Sequence, residues 1–131
     1  MASSSDPFVV LNEYDVYLSD YAHFAQILAA TRGVERAWLF GSRARGTHRY
    51  NSDVDIAIDV PRELAFRARA DLLRELDELP LGQRFDVVAL PMLDNERLRT
   101  HILNEGILLA EAGQAVYPKP AKLSSSAATR A

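Results

Sequence analysis

The stretch from Leu39 to Ile58, LFGSRARGTHRYNSDVDIAI, constrains this chain more than any other. Its second half alternates. Val54, Ile56 and Ile58 fall on one face of an extended segment, and Asp53, Asp55, Ala57 and Asp59 fall on the other. Aliphatic residues at a period of two, closed by Pro61, mark a half-buried strand from Asp53 to Val60. Val34 to Phe40 reads as another strand, rich in apolar and aromatic residues and stopped by Gly41. Between the two, Ser42 reads as the N-cap of a short helical turn that Gly46 ends, and His48 to Asn51 as a polar connection.

The flanking segments supply helices and two more strands. From Tyr14, the residues Tyr17, Tyr21, Phe24 and Leu28, with Leu18 and Ala25, recur at helical spacing, and Gly33 is a C-terminal stop. Glu63 to Leu79 is amphipathic, with Ala65, Ala68, Leu72, Leu76 and Leu79 as its apolar stripe. Arg84 to Leu90 is a strand carrying one acid, Asp86. Asp94 to Glu105 is a helix with Asp94 as N-cap and Gly106 as C-cap, and Ile107 to Ala110 is a last short strand. The expected division is a flexible N-terminus over 1–13, one domain over 14–113 and a disordered tail over 114–131, where Pro, Lys, Ser and Ala take over. The fold class is α/β, more strictly α+β: a small mixed sheet with helices packed on one face. The other face is left for the acids.

Composition narrows the function. A chain of 131 residues is one domain, and its net charge of −3 argues against a dedicated nucleic-acid binder. No apolar run reaches the length of a membrane span, and the start MASSSDPF lacks the pattern of an export signal, so the cytoplasm is the expected compartment. The absence of cysteine removes disulfides and thiolate metal sites. Thirteen of the 15 basic residues are arginine, an excess read first as compositional bias, although a guanidinium also suits phosphate better than an ammonium does.

The residues themselves point to a nucleotide and a metal. Asp53 and Asp55 share a strand face with Cα atoms about 6.5–7 Å apart. With Asp86 beside them, three carboxylates converge and repel unless a cation lies between. All-oxygen donors suit Mg²⁺, with Mn²⁺ as a substitute, and a pair of such ions can serve both the attacking and the leaving oxygen. Gly41 lets backbone approach a ligand, Ser42 adds a hydroxyl at a helix start, and Arg43 and Arg45 offer positive charge to phosphate.

Gly41-Ser42, a ten-residue spacer and Asp53-x-Asp55 resemble the signature of the DNA polymerase β-type nucleotidyltransferase superfamily. The fuller text, FGSRARG with SDVDIAI, FDVV and the late HILNEGILLAE, is similar to its minimal nucleotidyltransferase branch, over roughly Val34 to Glu111. The resemblance implies Asp53, Asp55 and Asp86 as ligands of two Mg²⁺ ions and Gly41 and Ser42 as phosphate contacts of ATP. Asp86 would also help to deprotonate the acceptor hydroxyl. It further implies an antitoxin that pairs with a small helical HEPN-type toxin as a hetero-oligomer and transfers AMP to a toxin tyrosine. His48-Arg49-Tyr50 departs from the pattern, being bulkier than the small residues expected in that linker.

Other readings stay open or fall away. Gly41 to Gly46 has Walker A spacing, but Thr47 stands where a lysine is needed. Asp53, Asp55 and Asp59 lack the glycine of an EF-hand loop. Arg43, His48 and Tyr50 match the R-x4-H-x-Y spacing associated with HEPN ribonucleases, but Gly46 interrupts the helix that motif requires. Two alternatives remain: an antitoxin that neutralises its partner by binding alone, and a nucleotidyltransferase acting on a small molecule.

Overall fold

The computed structural model describes residues 16–117. In chain order it holds α1 (Leu18–Ala30), β1 (Arg36–Phe40), the single turn α2 (Ser42–Arg45), β2 (Val54–Asp59), α3 (Ala65–Asp77), β3 (Phe85–Ala89), α4 (Glu96–Glu105), β4 (Ile107–Glu111) and β5 (Gln114–Ala115). Short 3₁₀ turns at Arg62–Leu64 and Leu90–Met92 lead into α3 and out of β3. The segment expected to be flexible over 1–13, the expected helix start at Tyr14 and the tail from 118 onward lie outside the described residues.

The five strands form one sheet in the order β3-β2-β1-β4-β5. β1 pairs antiparallel with both β2 and β4, whereas β2 and β3 are parallel. A parallel pair needs a crossover, and α3 supplies it. One face of the sheet carries Ala37, Leu39, Val54, Ile56, Ile58, Val87, Ala89 and Leu109, packed against Phe24, Ala25 and Leu28 of α1 and Ala65, Ala68, Leu72 and Leu76 of α3. Both helices meet the sheet through the stripes that their spacing predicts, with two exceptions. Leu18 is 65% exposed, and Tyr17 is the N-cap rather than a core residue, its amide held by the Asp20 carboxylate at 3.1 Å.

The expectation of helices on one face alone is corrected by α4. Trp38, Phe40, Ala57 and Leu90 form a second core on the opposite face, and Ile102 of α4 closes it. The reason is visible in β1, where Ala37 and Leu39 fill one face and Trp38 and Phe40 the other, so a central strand apolar on both sides needs cover on both. The helix starts at Asn95, not Asp94: Asn95 Oδ1 accepts from the Leu98 amide at 3.0 Å. Gly106 ends it in tight quarters, where a Cβ would sit 2.6 Å from Ile102 O and 3.1 Å from Trp38 Cβ. The boundary placed at 114 also moves, since Gln114 and Ala115 pair with β4, and Tyr117 packs edge-on against Tyr21 at 6.3 Å. A two-residue edge strand of polar and small residues carries no periodicity to read.

Leu72 is fully buried between α3 and the sheet. Leu72→Ala is expected to cost about 2–5 kcal/mol in urea unfolding, whereas Leu18→Ala should change stability by less than about 0.5 kcal/mol.

Candidate active site

Strand order sets three chain segments side by side at one end of the sheet. Phe40, the last residue of β1, is the register partner of Asp55, and Asp55 is that of Asp86. Laterally paired residues leave the sheet on the same face, so Asp55 and Asp86 project together from backbones about 4.8 Å apart. Asp53 lies two residues earlier, just before β2 rather than within it, and is exposed. Asp59, the third acid of the alternation, is drawn off: Arg36, its register partner on β1, binds it at 2.9 Å while lying over the Trp38 ring. Alternation alone does not separate Asp59 from the other acids; its cross-strand partner does.

Gly41 carries a constraint that the sequence reading did not assign to it. A Cβ at this position would run into Oδ2 of Asp55. Its φ of 79° with ψ of −156° is also a conformation that L side chains avoid. The Asp55 carboxylate therefore lies against bare backbone at the end of β1. Gly41 is also the N-cap of α2, and half-buried Ser42 is its first residue rather than its cap. With only four residues, α2 adds little macrodipole. Any hold on an anion rests instead on first-turn amides, the Ser42 hydroxyl and a nearby guanidinium.

The exposed guanidinium beside that turn is Arg45, whereas Arg43 is engaged elsewhere. Arg43 is only 5% exposed and faces the connection between the strands. Its Nε and Nη2 donate to Ser52 O at 3.2 and 3.1 Å, Nη2 also reaches Tyr50 O at 3.1 Å and Arg49 O at 3.3 Å, and Nη1 donates to the Tyr21 hydroxyl at 3.0 Å. The expectation of a phosphate contact is replaced by a clamp: one planar donor gathers three carbonyls just before Asp53. Gln83, which the sequence reading passed over, adds a 2.7 Å bond to Tyr50 O from the approach to β3. The bulky linker is explained as well. Arg49 and Tyr50 turn their side chains to solvent, and it is their carbonyls that matter. Arg43, His48 and Tyr50 lie on a turn and a loop, so they present no helical face.

Arg45 is exposed, and its Nη1 lies 3.5 Å from Nε2 of His101 on α4, whose Nδ1 is 3.5 Å from Glu105. His101 is thus brought beside Arg45, which its place on an amphipathic helix gave no means of expecting. Asp55 records the crowding. Partial burial first, and then the charges of Asp86 and Asp53, push its pKa from 3.8 up to about 6, against the opposing pull of Arg43 and Arg45.

With this geometry in hand, comparison with known proteins is informative. The profile of the polymerase β nucleotidyltransferases matches residues 23–115. The chain belongs to that nucleotidyltransferase family. A candidate protein adenylyltransferase of Methanocaldococcus jannaschii is 35% identical over 75 residues, covering 57% of this chain and 78% of the relative. Among solved structures, a candidate minimal nucleotidyltransferase is 34% identical with a TM-score of 0.56, over 69% of this chain and 90% of that one. A chain from a crystal structure of the toxin–antitoxin pair MntA–HpeT, 24% identical, shares the fold with a TM-score of 0.56 over 72% and 74% of the two chains. Like other members, this nucleotidyltransferase has a mixed sheet with helices.

The donor set fits a hard divalent cation: three oxygen ligands, one of them held partly buried at a cost that a positive charge relieves. The acids do not enclose an ion by themselves, for no three His, Asp or Glu side chains among the described residues are gathered tightly enough. Mg²⁺ normally keeps waters and shares substrate phosphate oxygens, so an open half-site is the form expected of its protein donors.

The raised Asp55 pKa has a signed consequence. Between pH 3.8 and about 6 the folded chain holds a proton that the unfolded chain has lost, so stability falls across that window and the penalty is complete above it. Asp55→Asn removes the charge. In chelator, the variant is expected to melt several degrees above the parent at pH 8, with the gap closing by pH 4. A gap of the same size at both pH values contradicts this assignment.

Proposed function

We propose that this nucleotidyltransferase moves AMP from ATP onto a hydroxyl, most simply a tyrosine hydroxyl, of a HEPN-type toxin, and so acts as the antitoxin of a hetero-oligomeric pair. The observation that carries the reading is Asp55, seated against Gly41 and crowded by Asp53 and Asp86. The kinship with a candidate protein adenylyltransferase and the shared fold of a toxin–antitoxin chain support the choice of a protein acceptor. A fold alone does not assign a substrate, and the acceptor is therefore read from the site and from kinship together.

In this account the Gly41–Ser42 backbone and hydroxyl hold the triphosphate, and Arg45 offsets its charge. Asp53, Asp55 and Asp86 would hold two Mg²⁺ ions, or Mn²⁺ in their place, which supply charge neutralisation and activation of the attacking oxygen. Asp86, on the outermost strand, stands where the acceptor arrives and accepts its proton. The acceptor oxygen bonds to the α-phosphorus in line with the departing oxygen, whose bond to phosphorus breaks to release pyrophosphate. Arg43 takes no part in the chemistry. By pinning residues 49–52 it keeps Asp53 and Asp55 in place, and preorganisation of this kind provides much of the rate in phosphoryl transfer.

The test is transfer of label from α-labelled ATP to a co-expressed partner. The double variant Asp53→Asn, Asp55→Asn is expected to lose at least about a thousandfold in rate while keeping the folded circular dichroism spectrum. Transfer at the parental rate in that variant sinks the mechanism. Loss of transfer with full neutralisation of the partner selects the binding-only antitoxin, and labelling of a small hydroxylated compound in preference to the partner selects the small-molecule enzyme.

A further inference from the structure

A groove runs along the free edge of β3, the outermost strand of the sheet, and no step described so far uses it. Phe66 and Arg69 of α3 form one lip, Met92 and Leu93 after β3 form the other, and Val88 and Asp86 form the floor, around a cavity of about 330 Å³. Phe66 is 74% exposed and Met92 is 50% exposed, so two large apolar side chains stand in solvent along one depression. A strand edge of this kind invites pairing with another strand. Here Arg69 closes part of it, donating from Nε to Val87 O at 2.7 Å. The groove is thus built to take side chains rather than to add a strand.

Its position relative to the acids says what those side chains carry. Across the sheet the order is Gly41–Ser42 at the end of β1, Asp55 in the middle and Asp86 at the edge. If the leaving pyrophosphate is held at the β1 end, in-line geometry requires the nucleophile to enter from the opposite side. That side is the β3 edge, and Asp86 is both the outermost acid and part of the groove floor.

We propose that this groove is the docking site for the acceptor segment of a partner protein, a tyrosine flanked by apolar side chains. The inference rests on the adenylyl-transfer reading above and specifies its substrate. The phenol lies at the Asp86 end of the groove, while the apolar flanks of the segment run along it to Phe66 and Met92 towards the far end of β3, where edge contacts and thioether packing suit apolar side chains. The phenol oxygen bonds to the α-phosphorus as the bond to pyrophosphate breaks, and its proton passes to the Asp86 carboxylate. The apolar flanks of the segment cover the exposed lips. Arg69 repels a polyamine.

The experiment uses synthetic amphipathic peptides with one tyrosine, flanked by leucines in one set and by serines in the other, with ATP and Mg²⁺. The leucine-flanked peptide is expected to be the better substrate. Phe66→Ala and Met92→Ala, both at exposed positions, should each raise its KM about tenfold with kcat held, and should leave the serine-flanked peptide unchanged. Transfer with unaltered KM in both variants overturns the groove and leaves adenylyl transfer standing. If the parent labels no peptide, the methyl resonance of Met92 decides. Perturbation by the leucine-flanked peptide, lost in Phe66→Ala, retains the groove and overturns the transfer reading; no perturbation overturns both. Sedimentation as a dimer that Phe66→Ala dissociates overturns the proposal in favour of a second copy of this chain.

Discussion

The contact between the Asp55 carboxylate and the bare backbone of Gly41 is the constraint on which the site depends. It fixes the identity of residue 41 twice, through the space the carboxylate occupies and through a backbone conformation with φ of 79°. It holds a carboxylate partly out of water and next to two others, at a standing cost that the raised pKa expresses. Structures keep such costs where function repays them, and a group perturbed by both burial and specific neighbours marks a functional site more often than a surface acid does.

The sheet turns that local constraint into an ordered site. Antiparallel pairing of β1 with β2 brings Gly41 to Asp55, and parallel pairing of β2 with β3 brings Asp86 alongside. The Gly41–Ser42 turn, the central acid and the edge acid follow one another across three strands. Arg43 guards the weak point of this design, the irregular connection between β1 and β2, by gathering the carbonyls of Arg49, Tyr50 and Ser52. This buried guanidinium is costly to lose, because Ser52 O would lose both of the bonds it accepts from Arg43, while Tyr50 O would keep only Gln83 and Arg49 O only the Ser52 amide.

Most of the fold was legible because its periods are clean. Val54, Ile56 and Ile58 declare a strand, and Ala65, Ala68, Leu72 and Leu76 a helix, so local pattern and tertiary packing agree. The misreadings share a cause: a residue type with two plausible tasks. Leu18 is apolar yet begins a helix outside the core, and Asp94 and Asn95 are both good caps, so only the bond to Leu98 decides between them. Arg43 and Arg45 are two residues apart in a turn, and which one is buried depends on carbonyls several residues downstream. The spacing of Gly41-Ser42 and Asp53-x-Asp55 revealed the family and pointed to the candidate site. It did not reveal that Asp59 is neutralised by Arg36, nor that α4 delivers His101 to Arg45, since both are cross-chain facts.

The claim at the centre of this account is that Gly41–Ser42 and the acids on β2 and β3 form a single site for a nucleotide and its metal ions. The most direct measurement is anomalous diffraction from crystals grown with Mn²⁺ and a non-hydrolysable ATP analogue. The account predicts manganese peaks bounded by Asp53, Asp55 and Asp86, with the triphosphate lying against Ser42 and Arg45 and with Arg43 still bound to the carbonyls of residues 49–52. Manganese absent from those three carboxylates, or a triphosphate held by Arg43 away from Gly41, would contradict it.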